Sequence, residues 1–382
     1  MASSEDFQVQ KREEYRDWTD VCKECSEEAR LKGEDLLREG KVACLILAGG
    51  QGSRLGVTGP KGTFSVSALQ KKSLFQILFE KILYAGIRAG RKLPVAVMTS
   101  SFNHKETVDF LSFHNFFGVS ERQVYIFSQG NLPVFDTEGN PMFDGKGALI
   151  EAPDGNGRAL HALYASGVLG TFKEAGIEYV NMVQVDNPLA DPFDADLIGF
   201  HAGKGSDISM ITVAKESESE SAGFLVSKEG ELRVVEYSEK KGGSFSFLNI
   251  GLYCFTVDFI EKIGRDNVAL PLHTAHKKID DTRFGSKSEY FIFDIFCYAK
   301  KIDVLLKERD ECFSPLKNLE GKKGLEEVRD ALIRKDQNRY FAITGKKTDG
   351  VLELSQALYY PTKEDLISWE EKHWPETGYV TP

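Results

Sequence analysis

Val42 to Phe64 reads V-A-C-L-I-L-A-G-G-Q-G-S-R-L-G-V-T-G-P-K-G-T-F. Its opening run, Val42 to Ala48, is apolar, uncharged and rich in branched side chains. Such a run predicts a strand buried on both faces, as in a parallel sheet. Gly49, Gly50 and Gly52 follow, where a backbone without Cβ atoms turns sharply and lies against a ligand. Arg54 and Lys61 add two cations beside them. Backbone N–H groups at a strand end, flanked by cations, are suited to hold phosphate.

Known phosphate loops fit this stretch unequally. A dinucleotide-binding turn needs G-x-G-x-x-G opening a helix, but Gly50-Gln51-Gly52 followed by Gly56 misses that spacing by one. Pro60-Lys61-Gly62 also interrupts any such helix. A Walker loop needs Gly-Lys-Ser/Thr, whereas here proline precedes the lysine and glycine follows it. A plain turn between strand and helix gives the glycines and the two cations no common purpose. The series L-A-G-G-Q-G-S-R-L-G followed by P-K-G resembles the signature of the nucleotidyltransferases that make nucleotide sugars. More narrowly, it is similar to the eukaryotic-type UDP-N-acetylglucosamine pyrophosphorylases. That resemblance implies exchange of UTP and N-acetylglucosamine 1-phosphate for UDP-N-acetylglucosamine and pyrophosphate.

The 382 residues suffice for one large domain with smaller attachments. A formal net charge of −10 leaves no basic surplus for nucleic acid, although a local group of cations in a cleft still suits an anionic substrate. No apolar run approaches the length of a membrane span, and the first forty residues are too charged for a signal peptide, so a cytoplasmic protein is expected. Cys22-Lys23-Glu24-Cys25 lacks the second pair or histidines of a zinc site, and coincidence explains its spacing better.

The alternation of elements predicts an α/β fold with a central, mainly parallel, Rossmann-like sheet of the nucleotidyltransferase type. Residues 1–40 are expected to form a helical segment, 41–320 the catalytic domain and 321–382 a small C-terminal segment. Within the domain, a nucleotide half ends near residue 190 and a sugar half follows. Strands are expected over Leu93–Thr99, Val124–Phe127, Tyr179–Val185, Gly205–Ala214, Glu231–Ser238 and Leu248–Thr256. Ser73 reads as the N-cap of a helix running through Leu83. Pro133 to Leu149 reads as a hairpin with Glu138-Gly139-Asn140 at its tip, and Tyr290 to Lys301 is apolar at helical spacing. Ligands in such sheets sit beyond the carboxyl ends of the strands, which points to the loop after Ala48, to Ser100 and to Gln129.

Asp186 ends a buried strand and is followed by Asn187, a placement that suits magnesium at the mouth of a sheet. A strand-end aspartate capping the next turn has the same signature. The resemblance favours the metal, since Val185-Asp186-Asn187 matches the family's V-D-N, and Mg2+ is the cofactor it implies. It further implies that Gly49, Gly50 and Gly52 contact the nucleotide, with Arg54 and Lys61 on its phosphates. Gln129 and Gly155 would read the uracil. Asn156, within P-D-G-N-G, is similar to the N-acetylhexosamine members, whereas UDP-glucose pyrophosphorylases usually carry histidine there. For the sugar it implies Gly223, Glu236 and Asn249, with Phe291 and Phe293 flanking the acetyl group. Core packing is the competing use of those two rings. Lys317, in F-S-P-L-K-N, would place a cation on the phosphates of the sugar nucleotide.

The chain departs from the family's pattern at Arg158-Ala159-Leu160-His161, around Gly223 and beside Asn249, and family members are typically longer. These differences surround the sugar site more than the nucleotide site. The expected partners are UTP and a sugar 1-phosphate, with neither nucleic acid nor membrane, and a monomer is compatible with all the motifs. A UDP-glucose or broad UDP-sugar pyrophosphorylase, or a catalytically silent nucleotide-sugar-binding protein, are the alternatives. Retention of Arg54, Lys61, Asp186 and Lys317 together speaks against silence.

Overall fold

A computed structural model describes residues 15–56, 59–217, 220, 222–236, 244–279, 283–369, 372 and 374–382. In chain order its strands are β1 (Arg16–Asp17), β2 (Val42–Leu47), β3 (Val95–Thr99), β4 (Val124–Ser128), β5 (Asn131–Pro133) and β6 (Glu151–Pro153). They continue as β7 (Tyr179–Gln184), β8 (Ile208–Ala214), β9 (Gly223–Lys228), β10 (Glu231–Val235) and β11 (Phe247–Thr256). The remainder are β12 (His273–Lys278), β13 (Phe284–Glu289), β14 (Ile302–Leu306), β15 (Leu352–Leu354) and β16 (Gly378–Val380). Tyr237 and Ser238, the expected end of the strand from Glu231, lie outside the described residues.

β2 is buried along its whole length, as its uncharged branched sequence dictates. Its side chains alternate between two cores: Val42, Cys44 and Ile46 enter one, while Ala43, Leu45 and Leu47 enter the other. Around β2 the sheet is parallel, in the order β7-β2-β3-β4. β11 then joins β7 antiparallel, with Tyr253 opposite Met182. It carries the sheet on to β8 and β9, and β14 pairs parallel with β8. A parallel half thus bears the glycine loop, and a mixed half continues beyond β11.

The helix Leu74–Ala89 starts where Ser73 Oγ accepts the Gln76 N–H and stops at Gly90 in the left-handed region. The helices Glu27–Arg38 and Ala195–Lys204 cross through glycines. A Cβ on Gly33 would stand 2.0 Å from the Ala195 carbonyl oxygen, and one on Gly199 1.7 Å from that of Ala29.

The N-terminal segment is less helical than expected. Arg16–Asp17 pairs with β9, and Cys22 bridges to Leu305 of β14. Trp18 and Val21 pack on the sheet core, so these apolar residues are not available to a helix face. The hairpin expected over 133–149 has two tips. Phe135 pairs with Pro141 and Phe143 with Leu149, so each loop closes on itself. Asp136 accepts the N–H groups of Glu138 and Asn140, and Asp144 those of Lys146 and Ala148. Tyr290–Lys301 contains a 3₁₀ helix, Ile292–Tyr298, in place of an α-helix. Its buried pairs Ile292/Ile295 and Phe293/Phe296 are three residues apart, the spacing that eclipses in a 3₁₀ turn.

At the C-terminus the helix Leu325–Thr344 and the parallel pair β15–β16 enclose a separate small core that includes Tyr340, Leu354, Trp369 and Trp374.

Candidate active site

Where the parallel strands end, a cleft of about 500 Å³ opens, lined by Gly49, Gly50, Lys61, Gln129, Gly155, Asn156, Asp186 and Phe291. The loop after β2 folds back on itself, because Gly52 N–H donates to the Gly59 carbonyl and Lys61 N–H to that of Gly50. Lys61 is thereby carried to the mouth of the sheet. Asn103 fixes the loop from behind: its Nδ2 donates to the carbonyls of Ala48 and Gly50, and its Oδ1 accepts the Ser100 N–H. Arg54 stands exposed on the turn Ser53–Leu55, and its charge acts on Lys61.

Gly49 has to be glycine because of Gln129, since a Cβ there would lie 2.0 Å from Gln129 Oε1. Gln129 Nε2 donates to Asp154 Oδ1 and to the Gly155 carbonyl, which orients the amide. Gly155 is at φ +87, and a Cβ would meet the Tyr290 carbonyl oxygen at 2.5 Å. Asn156 Oδ1 accepts the Ile292 N–H, so the P-D-G-N-G turn is fastened to the segment that bears Phe291.

Lys61 and Lys317 both donate to Asp186 Oδ2, at 2.8 and 2.6 Å. Burial pushes the Asp186 carboxyl up, but the two ammonium groups outweigh it and hold it at about 2. Lys61 is held below the usual lysine range by burial, with the Asp186 charge opposing and Lys317 adding to the fall. Asp186 Oδ1 is buried and has no hydrogen-bond partner. No group of three or more His, Cys, Asp or Glu side chains that could hold a metal ion occurs among the described residues. One orphaned carboxylate oxygen fits magnesium of the kind bound by a single carboxylate, with phosphates and water completing its shell.

Gly223, Glu236 and Asn249 gather on the antiparallel side. Gly223 pairs with Asn249 across β9 and β11, and a Cβ on Gly223 would lie 3.2 Å from Glu236 Oε1. Asn249 Oδ1 accepts from Tyr253 OH at 2.6 Å. These three residues lie outside the lining of the cleft. Phe291 lines it, whereas Phe293 is buried in the core behind, stacked on Phe291 at 5.1 Å. Lys277 and Lys287 of the hairpin β12–β13 face the cleft, and so does Gln184 at the end of β7. Sequence reasoning missed these three and Asn103. The run His276-Lys277-Lys278 carried a signal, as a cationic strand opposite a phosphate loop. Cys25, of the C-x-x-C pair, is pushed up to about 11, by burial above all, and both thiols are free. No helix among the described residues is long and apolar enough to cross a membrane.

The family described as UTP–glucose-1-phosphate uridylyltransferase matches residues 2–247. UDP-N-acetylglucosamine pyrophosphorylase of Saccharomyces cerevisiae is 32% identical over 381 residues, covering 91% of this chain and 80% of its own. A crystal structure from Entamoeba histolytica superposes with a TM-score of 0.84 at 28% identity, over 96% of this chain and 99% of its own. Uridine diphosphate N-acetylglucosamine pyrophosphorylase of Trypanosoma brucei, solved with an inhibitor, gives a TM-score of 0.80 at 25% identity, over 92% and 81%. Sequence and fold thus agree with the reading of the loop after β2, and the chain belongs to this uridylyltransferase family, alongside its UDP-N-acetylglucosamine pyrophosphorylase members.

Proposed function

We propose that the chain forms UDP-N-acetylglucosamine and pyrophosphate from UTP and N-acetylglucosamine 1-phosphate. The observation that carries this reading is the meeting of Lys61 and Lys317 on Asp186 in front of the glycine loop. Two cations there can transfer from one carboxylate to the phosphates of a bound nucleotide. A phosphate oxygen of the sugar 1-phosphate attacks the α-phosphorus in line, the bond to the β-phosphate oxygen breaks, and pyrophosphate leaves. No covalent enzyme intermediate is required.

The chain's own work is positioning and charge neutralisation. N–H groups of Gly49 and Gly50 hold the phosphates, Gly52 closes the loop beside them through its N–H bond to the Gly59 carbonyl, and Arg54, Lys61 and Lys317 balance the charge. Gln129, Gly155 and Asn156 seat the base. Gly223, Glu236 and Asn249 hold the hexose, with Phe291 against the acetyl group and Phe293 supporting that ring. Asp186 is the residue that would hold Mg2+, which when bound neutralises phosphate charge and orients the reacting groups. Six free cysteines favour the reducing cytoplasm as its place of work.

Pyrophosphate release from UTP and magnesium, with N-acetylglucosamine 1-phosphate and glucose 1-phosphate in parallel, tests the reading. Preference for the acetylated sugar is expected. Preference for glucose would keep the nucleotide half and overturn the sugar half. Release with neither sugar would leave a nucleotide-sugar-binding protein.

A further inference from the structure

Gln184 ends β7, two residues before Asp186, and its side chain lines the cleft. β11 pairs antiparallel with β7 from Thr256 to Tyr253, which faces Met182, and Gly251 lies against Gln184 just beyond the last pair. A Cβ on Gly251 would stand 2.1 Å from Gln184 Nε2 and 2.9 Å from its Cδ, so the amide rests directly on bare backbone. Gly251 takes φ +75, within the irregular stretch of β11 between Asn249 and Leu252, and its N–H donates to Asn249 Oδ1. Gln184 therefore joins the cleft to the residue proposed to hold the hexose. Its own amide is not engaged by any other group among the described residues.

A half-buried amide offers two donors and one acceptor, and leaving them unpaired carries a desolvation cost. Gly251 suits both its left-handed φ and the close approach of the Gln184 amide, which is held beside Asn249 at the cleft. The proposed base contact Gln129 follows β4, on the other side of β2 from β11, and Gly155 is hydrogen-bonded to it. We propose that Gln184 is a specificity-determining residue for the sugar, its amide hydrogen-bonding a ring hydroxyl of the hexose, with Gly251 making the room. This rests on the proposed function, which the wild-type assay tests separately.

The experiment compares wild type with Gln184→Met, which keeps the length of the side chain and removes its hydrogen bonds, and with Gln184→Ala. UDP and UDP-N-acetylglucosamine are titrated into each by calorimetry, and KM is measured for UTP and for N-acetylglucosamine 1-phosphate. Loss of one neutral hydrogen bond is expected to weaken UDP-N-acetylglucosamine and raise the KM of the sugar phosphate about three- to tenfold in both variants. UDP affinity and the KM of UTP are expected to stay within about twofold, below the effect of one such bond. An equal loss for UDP, or no loss for either ligand, overturns the assignment. Calorimetry reads binding without turnover, so a wild type that binds UDP-N-acetylglucosamine but releases no pyrophosphate would sink the proposed reaction and leave the Gln184 result standing.

Discussion

Lys317 closes on Asp186 at 2.6 Å across 131 residues of chain, and Lys61 reaches the same oxygen at 2.8 Å across 125. Either lysine alone still leaves the carboxylate paired. Lys61→Ala is therefore expected to lower kcat by about 100-fold or more, as for loss of a charge-stabilising group, while shifting the melting temperature by only a few degrees. Steady-state kinetics and a thermal melt on one preparation check both parts. A large fall in melting temperature with unchanged kcat would remove Lys61 from the phosphate-binding role.

Asp186→Asn keeps the shape of the side chain and discards its charge. The magnesium concentration for half-maximal activity is expected to rise at least about tenfold, since a hard cation prefers a carboxylate to an amide oxygen. Direct Mn2+ binding in the presence of UTP, followed by electron paramagnetic resonance, reads the same site without turnover. An unchanged metal affinity would exclude Asp186 as a ligand.

Two buried groups give opposing pH dependences of stability. His201 is fully buried and burial depresses it to about 4, so it remains neutral in the fold. Unfolded, it protonates below about 6.5, and stability is therefore lost as pH falls through that value towards 4. Asp336 is raised to about 7, by burial first, while Tyr359 OH and Leu354 N–H donate to it. Its contribution is present at low pH and is lost as pH rises from about 4 to 7. His201 is worth roughly 3 kcal/mol and Asp336 roughly 4 kcal/mol over these ranges, so most of the two slopes cancel. Asp336→Asn is expected to expose the histidine's slope, with urea-unfolding free energy rising from pH 4.5 to 6.5. A flat profile in that variant would refute the assignment.

The loop after Asp186 is tied to the C-terminal lobe. Lys335 of the helix Leu325–Thr344 donates to the carbonyls of Leu189 and Glu311, and Tyr360 OH donates to Asp191. From the helix Leu74–Ala89 Lys81 donates to the carbonyls of Pro188 and Ala190. Lys335→Met strips the carbonyls of buried Leu189 and exposed Glu311 of their donor, and the loss at Leu189 is expected to cost about 1–3 kcal/mol of stability. Because that loop positions Asp186, kcat should fall with little change in the KM of UTP, and Lys335→Arg should restore part of it. Equal effects on kcat and KM in both variants would point to general loosening of the fold.

Much of the parallel half was legible because each signal was local. The uncharged run Val42–Leu47, the Ser73 cap and the Asp186 strand end each declare themselves within a few residues. The double tip after β5 was legible too, since Asp136-x-x-Gly139 and Asp144-x-x-Gly147 repeat one turn motif, but only its first copy was read. The pairing of Lys61 and Lys317 on one oxygen was beyond sequence reasoning, because that contact is made by strand order and not by spacing. Gln184 was overlooked for the same reason: its meaning depends on a glycine in β11, four strands later in the chain but next to β7 in the sheet, which no motif connects to it. The rings of Phe291 and Phe293 looked alike in sequence, and only the tight turn of their segment sends one to the cleft and the other to the core.

Gly49, Gly50, Gly52, Gln129 and Gly155 sit on loops beyond strand ends, whereas Gly223 and Asn249 are strand residues paired with each other. The two kinds of backbone constrain inheritance differently. A lineage altering its grip on the nucleotide can lengthen or shorten a loop without disturbing the sheet. A lineage altering its sugar has no such freedom, because a one-residue slip in β9 or β11 turns every side chain of that strand to the opposite face. Sugar preference in descendants of this chain would therefore change by replacement of single side chains, at fixed length.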